Sequence, residues 1–417
     1  MAPSTAIPQV RVDDRAMARL RGGHVWVYAS DVLGENKIEP GALVHVIGPQ
    51  DKPLGSALYS SSSQIKLRLL GREQLGAEED LLQLVRRRLA EAVAFRYQVV
   101  GDADACRLVF SEADRLPGLI VDRYNDLYTV QILTQAWDRE ARKEAIVNAI
   151  RELTGAENII ERVDERIREL EQLPQIASHS LCGSKTTTVF TLNRESHSAT
   201  KDRRAGRDNS GVKFHYDALG GQKTGAFLDQ RENYAAAARY AQGEALDVCT
   251  YQGGFALHLA RVCEKVTALD ISREALEMAE QNEKLNAATG RPEIEWIEAN
   301  AFDLLKDYAA ARRQYDIIVL DPPAFAKSKR NLQAAMRGYK ELNLRALRML
   351  RSGGILVTCS CSFAVSQEDF LLMLTSAAQD ARRTVRVLDQ RGQSRDHPYL
   401  LGIPETHYLK CVIASVM

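Results

Sequence analysis

From about residue 213 the sequence alternates between short apolar runs and longer helical stretches. Five runs have the composition of buried strands, and helical stretches such as residues 272–286 separate them. Parallel strands joined by helices form a doubly wound sheet whose ligand lies beyond the carboxyl ends of the strands. The order therefore predicts an α/β fold with a mostly parallel sheet. The five runs are residues 245–249, 266–270, 294–297, 315–320 and 354–359.

Residues that can do chemistry stand at the ends of these runs. Gly253 and Gly254 follow the first run, Asp321 and two prolines follow the fourth, and Cys361 follows the fifth. A Gly-rich turn alone indicates only a nucleotide-like ligand, whereas a carboxylate and a thiol at two later strand ends indicate covalent attack on a ring. This pattern predicts an enzyme that methylates carbon 5 of a cytosine in RNA.

Composition limits the alternatives. The 417 residues are 45% hydrophobic, which is enough for two or three domains. Lys+Arg and Asp+Glu both total 55, so no overall positive field attracts nucleic acid and an RNA site must be a local patch. Seven cysteines without metal-ligand spacing fit a reducing compartment and predict no metal site. We expect a cytoplasmic protein that does not enter the membrane, since the sequence has neither a signal peptide nor an apolar run of about 20 residues.

The sequence upstream of residue 213 divides into two further regions. Residues 1–75 contain short strand-like runs typical of a small β-barrel, and residues 76–212 read as an α+β domain that ends in a polar linker over 193–211. Residues 213–417 form the third predicted domain. The upstream strand-like runs are residues 43–47, 53–59, 65–70, 107–110, 119–122, 128–133 and 158–162, with helices over the Leu81 to Val93 stretch and over 138–153.

The Gly-rich turn and the residues after it suit a nucleoside cofactor. Glycines at a strand-to-helix turn let a ligand approach the backbone and the helix N-terminus. Asp270 ends the next run, where a carboxylate can accept hydrogen bonds from ribose hydroxyls. A dinucleotide fits less well, because the turn is not Gly-x-Gly-x-x-Gly. Two structural alternatives stay open, namely an ordinary tight turn for the glycines and a helix N-cap for Asp270.

The sequence resembles, over nearly its whole length, the class I S-adenosylmethionine-dependent methyltransferases of large-subunit ribosomal RNA. The resemblance implies a PUA domain, a central α+β domain and a Rossmann-like catalytic domain, with S-adenosylmethionine as the cofactor and cytosine carbon 5 as the target. The chain departs from several relatives at Asn300, where they have Asp. The matching segments are residues 23–28, 112–124, 221–231, 251–255, 320–325 and 359–362.

The resemblance also assigns residues to the cofactor pocket. Lys223, Thr224 and Gln230 would border S-adenosylmethionine, Asp270 would bind its ribose, and Asn300 would face the adenine edge. Together with the residues around the turn, the predicted cofactor-binding set is Lys223, Thr224, Gln230, Asp247, Tyr251, Gly253, Gly254, Phe255, Asp270, Asn300, Ala301 and Asp321.

Two cysteines compete for the catalytic role. Alternate residues of a strand share a face, so Cys359 and Cys361 could point the same way, but only the second lies clearly past the strand end. We therefore expect Cys361 to attack carbon 6, in agreement with the resemblance, and Asp321 to hold the pyrimidine edge at N3 and N4. A buried, inert cysteine is the alternative for each thiol. Cys249 is predicted to be a core residue inside the first strand.

Contacts to the RNA partner are expected from two local groups of cations. Lys327, Lys329 and Arg330 follow the Asp-Pro-Pro turn and could reach phosphates near a flipped base. The PUA-like region offers a second group, and for both groups an ordinary solvated surface is the alternative. The second group consists of Arg19, Arg21 and His24. Oligomeric state is left open, with a homodimer as one candidate.

Two rival functions fit parts of the pattern. Asp-Pro-Pro resembles the Asn/Asp-Pro-Pro-aromatic turn that grips an exocyclic amine, although Phe325 stands one place late for that motif. In an amine methyltransferase Cys361 would be dispensable. A non-catalytic RNA-binding protein that retains the cofactor fold is the other rival, and it predicts binding without turnover. The group that removes the carbon 5 proton is left open, with water as one candidate.

Overall fold

The computed structural model describes residues 6–34, 37–194, 211–220, 227–287, 292–326 and 331–417. Backbone contacts divide the chain into two compact units. The first unit contains the chain up to Thr188, a short segment that starts at Tyr216, and Arg395–Thr406, and the second unit contains the remainder. Most of the predicted linker lies outside the described residues. The predicted domain boundaries near residues 75 and 212 stay predictions.

The first unit begins with a six-stranded sheet. Short apolar runs form its strands; burial alternates along β1, whereas β4, β5 and β6 are buried over consecutive residues. One helix, α1 (Asp14–Arg21), is capped by the Asp13 side chain on the backbone N–H of Ala16. The strand order is β2-β6-β5-β4-β1-β3. The strands are β1 (Gln9–Val12), β2 (Trp26–Tyr28), β3 (Val32–Leu33), β4 (Leu43–Ile47), β5 (Pro53–Tyr59) and β6 (Ile65–Gly71).

A five-stranded sheet with three helices completes the first unit. Leu43, Leu58 and Leu70 of the six-stranded sheet belong to the same hydrophobic cluster as Leu81 and Trp137 of this second region. This shared core explains why the first two predicted regions form one compact unit. The sheet order is β11-β10-β9-β8-β7. The elements are α2 (Glu78–Val99), β7 (Ala105–Phe110), β8 (Leu119–Tyr124), β9 (Leu127–Ile132), α3 (Glu140–Thr154), β10 (Asn158–Glu161), α4 (Glu165–Leu170) and β11 (His179–Cys182).

The second unit contains a seven-stranded sheet with helices between its parallel strands. A two-stranded sheet, β12 (Thr187–Leu192) with β13 (Val212–Asp217), carries the chain from one unit to the other. The elements that follow are α5 (Arg231–Tyr240), β14 (Glu244–Val248), α6 (Gly254–Leu259), β15 (Lys265–Asp270), α7 (Arg273–Leu285), β16 (Ile294–Glu298), α8 (Ala301–Ala310), β17 (Tyr315–Leu320), α9 (Leu332–Met349), β18 (Leu350–Ser360), α10 (Gln367–Ala381), β19 (Val385–Arg391) and β20 (Lys410–Val416).

The order of this sheet is β16-β15-β14-β17-β18-β20-β19. The first five strands are parallel, and β20 and β19 add an antiparallel edge. The prediction of a doubly wound, mostly parallel sheet is therefore confirmed. Strand order reverses between β14 and β17, and such a switch point is where open α/β sheets bind ligands.

Burial on both faces explains the composition of the central strands. Leu246 of β14, Ile318 of β17 and Leu356 of β18 are fully buried, and they pack in one cluster with Leu347 of α9 and Phe370 of α10. A strand covered by helices on both faces needs a near-continuous apolar sequence, which is the pattern that identified these strands. In the described part of the chain no helix is both long and apolar enough to cross a membrane.

Two leucines on α10 provide a test of this packing. Leu374 is 2% exposed inside the core, whereas Leu372 on the same helix is 62% exposed. We expect Leu374→Ala to lower the free energy of unfolding by about 2–5 kcal/mol, because it leaves a cavity. Leu372→Ala should change it by less than about 0.5 kcal/mol. Urea unfolding followed by circular dichroism measures both, and equal effects would contradict the described packing of α10.

Candidate active site

Strand register brings the predicted catalytic residues to one edge of the sheet. Leu320 of β17 pairs with Val248 of β14 on one side and with Thr358 of β18 on the other. Asp321 is the first residue after β17, and Cys361 is the first residue after β18. Carboxyl ends of neighbouring parallel strands meet at the same edge. The carboxylate and the thiol therefore share the end of the sheet at which the strand order reverses.

A chain of side-chain hydrogen bonds holds Asp321. Gln230 is buried, and its Nε2 donates to Asp321 Oδ2 at 3.0 Å. Gln230 Oε1 accepts in turn from Asn233 Nδ2 at 2.7 Å, and Asn233 Oδ1 accepts from Arg391 Nε at 2.8 Å. Each amide is thus oriented by its neighbour, so the Asp321 carboxyl group is fixed by residues of α5 and β19. The sequence predicted Gln230 as a cofactor-binding residue, and in the structure its side-chain amide is hydrogen-bonded to Asp321.

The surroundings of Asp321 favour its neutral form. Burial, together with the nearby carboxylates of Asp229 and Asp247, raises the pKa of Asp321 to about 8, although the hydrogen bond from Gln230 opposes this shift. Asp229 was missed by the sequence analysis. It is held by Tyr408, whose hydroxyl donates to Asp229 Oδ2 at 2.7 Å. At neutral pH Asp321 is therefore a carboxylic acid with one donor and free acceptor capacity.

The two neighbouring cysteines have different environments. Cys359 is 0% exposed and stands opposite Cys411 in the β18–β20 ladder, where burial raises its pKa. Cys361 is only partly buried. Burial and the carboxylates of Asp321 and Asp229 raise the pKa of Cys361 to about 12, while Lys410 acts in the opposite direction. Of these two cysteines, only Cys361 is thus accessible at the edge of the sheet where Asp321 lies.

Ser362 joins the cysteine segment to the Asp-Pro-Pro segment. Its Oγ accepts from the backbone N–H of Ala326 at 3.2 Å and shares a 2.9 Å hydrogen bond with the Tyr339 hydroxyl. Its backbone N–H donates to Ser360 Oγ at 3.3 Å. The buried Ser362 hydroxyl therefore links the segment after Cys361 to Ala326, which follows the Asp-Pro-Pro turn.

Lys410 was also missed by the sequence analysis. It is the first residue of β20 and is 3% exposed. Its Nζ donates to the backbone oxygens of Ser362 at 2.6 Å and Tyr408 at 2.8 Å. The only sequence signal was a lone lysine at the start of the apolar run 411–416, a pattern that more often marks a strand end at the surface.

Asp247 carries a buried carboxylate at the end of the central strand. Its Oδ2 accepts from Thr250 Oγ1 at 2.6 Å and from the Ala256 backbone N–H at 2.9 Å. Its Oδ1 has no partner. Burial raises the pKa of Asp247 to about 7, with a further upward contribution from Asp270 that the two hydrogen bonds oppose. An orphaned buried oxygen is costly unless a ligand satisfies it.

Asp270 and Asn300 lie at the ends of the next two strands, and both bind backbone. Asp270 Oδ2 accepts from the Tyr251 N–H at 2.9 Å, and its Oδ1 accepts from the Ser272 N–H at 3.0 Å. Ser272, not Asp270, is the N-cap of α7. Asn300 caps α8, its Oδ1 accepting from the Phe302 N–H at 2.9 Å. Each Asp270 oxygen keeps a second lone pair, so ribose hydroxyls remain suitable donors.

The glycines of the turn have structural reasons of their own. Gly253 has φ +84°, and a Cβ on Gly254 would lie 2.5 Å from the Tyr234 ring. Gly254 is therefore explained by close packing on Tyr234 rather than by ligand approach, and the Phe255 ring lies edge-to-face on that same tyrosine. Cys249 was predicted to be a core residue inside the first strand, and the strand part of this prediction is wrong. Cys249 lies one residue past β14 with φ +63°, and its side chain is only partly buried where it packs against the core.

These residues fit S-adenosylmethionine. The orphaned Asp247 Oδ1 can accept from the ammonium group of the cofactor, and Asp270 can accept from its ribose. Ala301 is the first residue of α8 and directly follows Asn300. The helix cap uses the Asn300 Oδ1 and does not use its Nδ2. Tyr251 completes the turn beside Phe227, with ring centroids 4.9 Å apart. Lys223 and Thr224 lie outside the described residues.

The residues predicted to contact RNA lie in different surroundings. Arg19 forms an ion pair with Asp31 at 2.7 Å and lies over the Tyr28 ring, so much of its charge serves the fold. His24 Nε2 lies 3.1 Å from Glu405. Arg21 is exposed at the end of α1. An RNA role for these three residues stays a prediction, and Lys327, Lys329 and Arg330 lie outside the described residues.

Comparison with known families agrees with this geometry. The family model of the PUA-like domain matches residues 10–72, and that of S-adenosylmethionine-dependent methyltransferases matches residues 202–399. The predicted combination of a PUA-like domain with a Rossmann-like methyltransferase domain is therefore confirmed, as is the cofactor.

Curated relatives extend over nearly the whole chain. Ribosomal RNA large subunit methyltransferase I of Klebsiella pneumoniae is 33% identical over 399 residues, which cover 94% of each chain. The protein of the same name from Tolumonas auensis is 34% identical over 409 residues, with 97% of this chain and 98% of the relative covered.

A solved structure has the same fold. It is a Streptococcus mutans protein described as a SAM-dependent methyltransferase, with a TM-score of 0.78, 17% identity, and coverage of 98% of this chain and 100% of that one. A second solved structure with the same values is described as a methyltransferase complexed with S-adenosylhomocysteine.

The raised pKa of Asp321 predicts a pH-dependent cost in stability. The folded pKa of about 8 lies above the usual value of 3.8, so folding favours the protonated form and stability falls as pH rises from about 4 to about 8. Asp321→Asn removes this loss. We expect the variant to be more stable than the wild type by about 1 kcal/mol or more at pH 8, and the gain should shrink at pH 5.

Calorimetric melting at the two pH values measures this difference. Asp307→Asn is a suitable control, because Asp307 is exposed on α8, and its effect should be small at both pH values. An effect of Asp321→Asn that is the same at pH 5 and at pH 8 would show that Asp321 is ionised in the folded protein over this range.

Proposed function

Because this chain belongs to the family of the ribosomal RNA large subunit methyltransferases I, we propose that it methylates carbon 5 of a cytosine in large-subunit ribosomal RNA. The reaction proceeds through a covalent bond between the Cys361 sulfur and carbon 6 of the base. The observation that carries the proposal is the pairing of a partly exposed thiol with a neutral carboxyl group at the switch point of the sheet.

Cytosine methylation at carbon 5 requires a nucleophile, because that carbon is unreactive until a group has added to carbon 6. A thiolate can add and later leave. Cys361 meets this need by position, since it lies past the strand end with access to the sheet edge. Cys359 does not, because it is fully buried in the ladder opposite Cys411.

The neutral form of Asp321 matches the edge of cytosine. A carboxylic acid has one O–H donor and one carbonyl acceptor, whereas the cytosine edge has an acceptor at N3 and a donor at N4. The protonated Asp321 can therefore donate to N3 and accept from N4. The hydrogen bond from Gln230 fixes the orientation of this carboxyl group.

The same proton balances the addition step. The Cys361 thiolate forms the S–C6 bond, the C5–C6 double-bond electrons move into the ring, and Asp321 passes its proton to N3. Carbon 5 then has the character of an enamine carbon. After carbon 5 has been alkylated, its proton leaves to a base, the S–C6 bond breaks, and N3 returns its proton to Asp321. The thiolate and the acid are thereby regenerated.

Asp247, Tyr251, Asp270 and Asn300 would hold the cofactor at the neighbouring strand ends. Bound S-adenosylmethionine supplies the electrophilic methyl group for carbon 5. The orphaned Oδ1 of Asp247 is the structural feature that supports this placement most directly. Arg19, Arg21, His24, Lys327, Lys329 and Arg330 stay proposed RNA contacts.

Methylation of an exocyclic nitrogen is the rival with structural content. It requires an aromatic ring after the two prolines that faces the amine. Phe325 instead packs on Tyr339 and Phe302, with ring centroids 4.7 Å and 6.0 Å apart. The rival also gives no role to Cys361. Both points favour carbon 5.

The two cysteines give a matched pair of variants for methyl transfer. We expect Cys361→Ala to bind S-adenosylhomocysteine normally and to lose methylation of large-subunit RNA by at least about a thousandfold, because the addition step has no nucleophile. Cys359→Ala should keep most activity. Transfer of a radiolabelled methyl group measures both variants, and activity retained in Cys361→Ala but lost in Cys359→Ala would reverse the assignment.

The covalent bond itself can be trapped. In RNA transcribed with 5-fluorocytidine, a base cannot remove fluorine from carbon 5, so the thiolate cannot be expelled after methyl transfer. Wild type and Cys359→Ala, incubated with this RNA and S-adenosylmethionine, should each give a protein–RNA band that survives denaturing electrophoresis, whereas Cys361→Ala should give none. Methylation of ordinary RNA without any trapped band on the fluorinated RNA would support the exocyclic-nitrogen rival.

A further inference from the structure

Lys410 lies where β20 meets the end of β18. The ladder places Lys410 opposite Ser360, the last residue of β18. Cys361 is the next residue, so the lysine is at the point where the cysteine leaves the sheet. At 3% exposure Lys410 is buried to a degree that is rare for a lysine.

The ammonium group of Lys410 has backbone partners but no carboxylate. Its Nζ donates to the oxygens of Ser362 and Tyr408, and an ammonium has three protons to donate. Among the residues that the structure describes, none of the acidic side chains forms an ion pair with Lys410. A buried cation without an anion is expensive, so the site is built to meet a negative charge.

Titratable groups from several elements surround Lys410 and Cys361. Cys361 and His407 are the titratable groups that interact electrostatically with Lys410. Around Cys361, Asp321 after β17 and Asp229 before α5 oppose the thiolate, whereas Lys410 on β20 favours it. Tyr339 of α9 also interacts with the sulfur. Of these side chains, Lys410 is thus the one whose charge favours the thiolate form of Cys361.

We propose that Lys410 is the positioning residue that makes Cys361 a nucleophile: held by the Ser362 and Tyr408 carbonyls, its ammonium compensates the charge of the Cys361 thiolate. The inference rests on the proposed function in that it gives the thiolate a role in catalysis. When the sulfur loses its proton the Lys410 charge stabilises the resulting anion. When the S–C6 bond later breaks, the same charge receives the departing thiolate.

The directions of the pKa shifts of Lys410 and Cys361 support this pairing of the ammonium with the thiolate. Burial lowers the pKa of Lys410 to about 8, and the interaction with Cys361 raises it against that effect. The lysine is therefore mostly protonated at pH 7. The pKa of Cys361 is already raised to about 12 by burial and by carboxylates, so loss of the one favourable charge should raise it further.

Alkylation of the cysteine tests the proposal without RNA or cofactor. The full-length protein is treated with iodoacetamide from pH 6 to pH 10, and peptide mass spectrometry follows the modification of each cysteine. Lys410→Met keeps the length of the side chain and removes its charge. We expect Cys361 to react about tenfold or more slowly in this variant at pH 6 and pH 7, where the lysine is charged, since one pKa unit changes the thiolate fraction tenfold. The difference should shrink above pH 8, where the wild-type lysine loses its proton. Lys410→Arg should restore most of the rate.

Other cysteines of the same chain act as controls. Cys182 of β11 is partly exposed and should react equally in all variants, and Cys106 is buried and should stay unmodified in any folded protein. A Lys410→Met protein in which Cys361 reacts at the wild-type rate, with Cys106 protected, would overturn the proposal. A lysine that only ties β20 to Ser362 would give that result.

If Lys410→Met exposes Cys106, the comparison of Lys410→Arg with wild type decides the question. Arginine keeps its charge above pH 8, where the lysine loses its proton, so the proposal expects Cys361 to react faster in the arginine variant at pH 9. An equal or lower rate there would contradict it.

The outcome is separable from that of the proposed function. If the lysine controls Cys361 reactivity but no 5-methylcytidine forms, the proposed reaction fails and the lysine–thiolate pair stands. If 5-methylcytidine forms but Cys361 reactivity ignores Lys410, the proposed reaction stands and the pair fails. Where both stand, Lys410→Met should lower kcat while the KM values for RNA and S-adenosylmethionine change little.

Discussion

The parallel pairing of β17 with β18 is the constraint on which the site depends. Because Leu320 stands opposite Thr358, the residues that follow the two strands leave the sheet together, and Asp321 and Cys361 emerge at the same edge. A shift of one residue in this register would point each side chain to the other face. The helices that bury both faces of these strands therefore also fix the distance between the carboxyl group and the thiol.

Two acidic side chains of the site lie in surroundings that disfavour their ionised form. Asp247 and Asp321 both have raised pKa values because burial and like charges oppose their ionisation. Such a cluster lowers stability at neutral and alkaline pH, and it is retained where its neutral or unsatisfied groups serve a ligand. Hydrogen bonds from Gln230 and Thr250 orient the two carboxyl groups, which stay buried.

Much of the second unit could be predicted from the sequence, since β14 to β18 are apolar runs between helices and the chemical residues stand at their ends. What the sequence did not show is the antiparallel edge formed by β19 and β20. Lys410 and Tyr408 reach the site only through that edge, about 50 residues after Cys361, and no local pattern encodes the pairing. Asp229 was overlooked for the same reason, because its neighbour Tyr408 is distant in sequence.

The central claim is that the product is 5-methylcytidine, and nucleoside mass spectrometry tests it most directly. Large-subunit RNA purified without its modifications, and precursor particles that contain it, would be incubated with the protein and S-adenosylmethionine and then digested to nucleosides. The predicted result is new 5-methylcytidine that is absent with Cys361→Ala. A cytidine methylated on its exocyclic nitrogen, or no methylated nucleoside on either substrate, would contradict the claim.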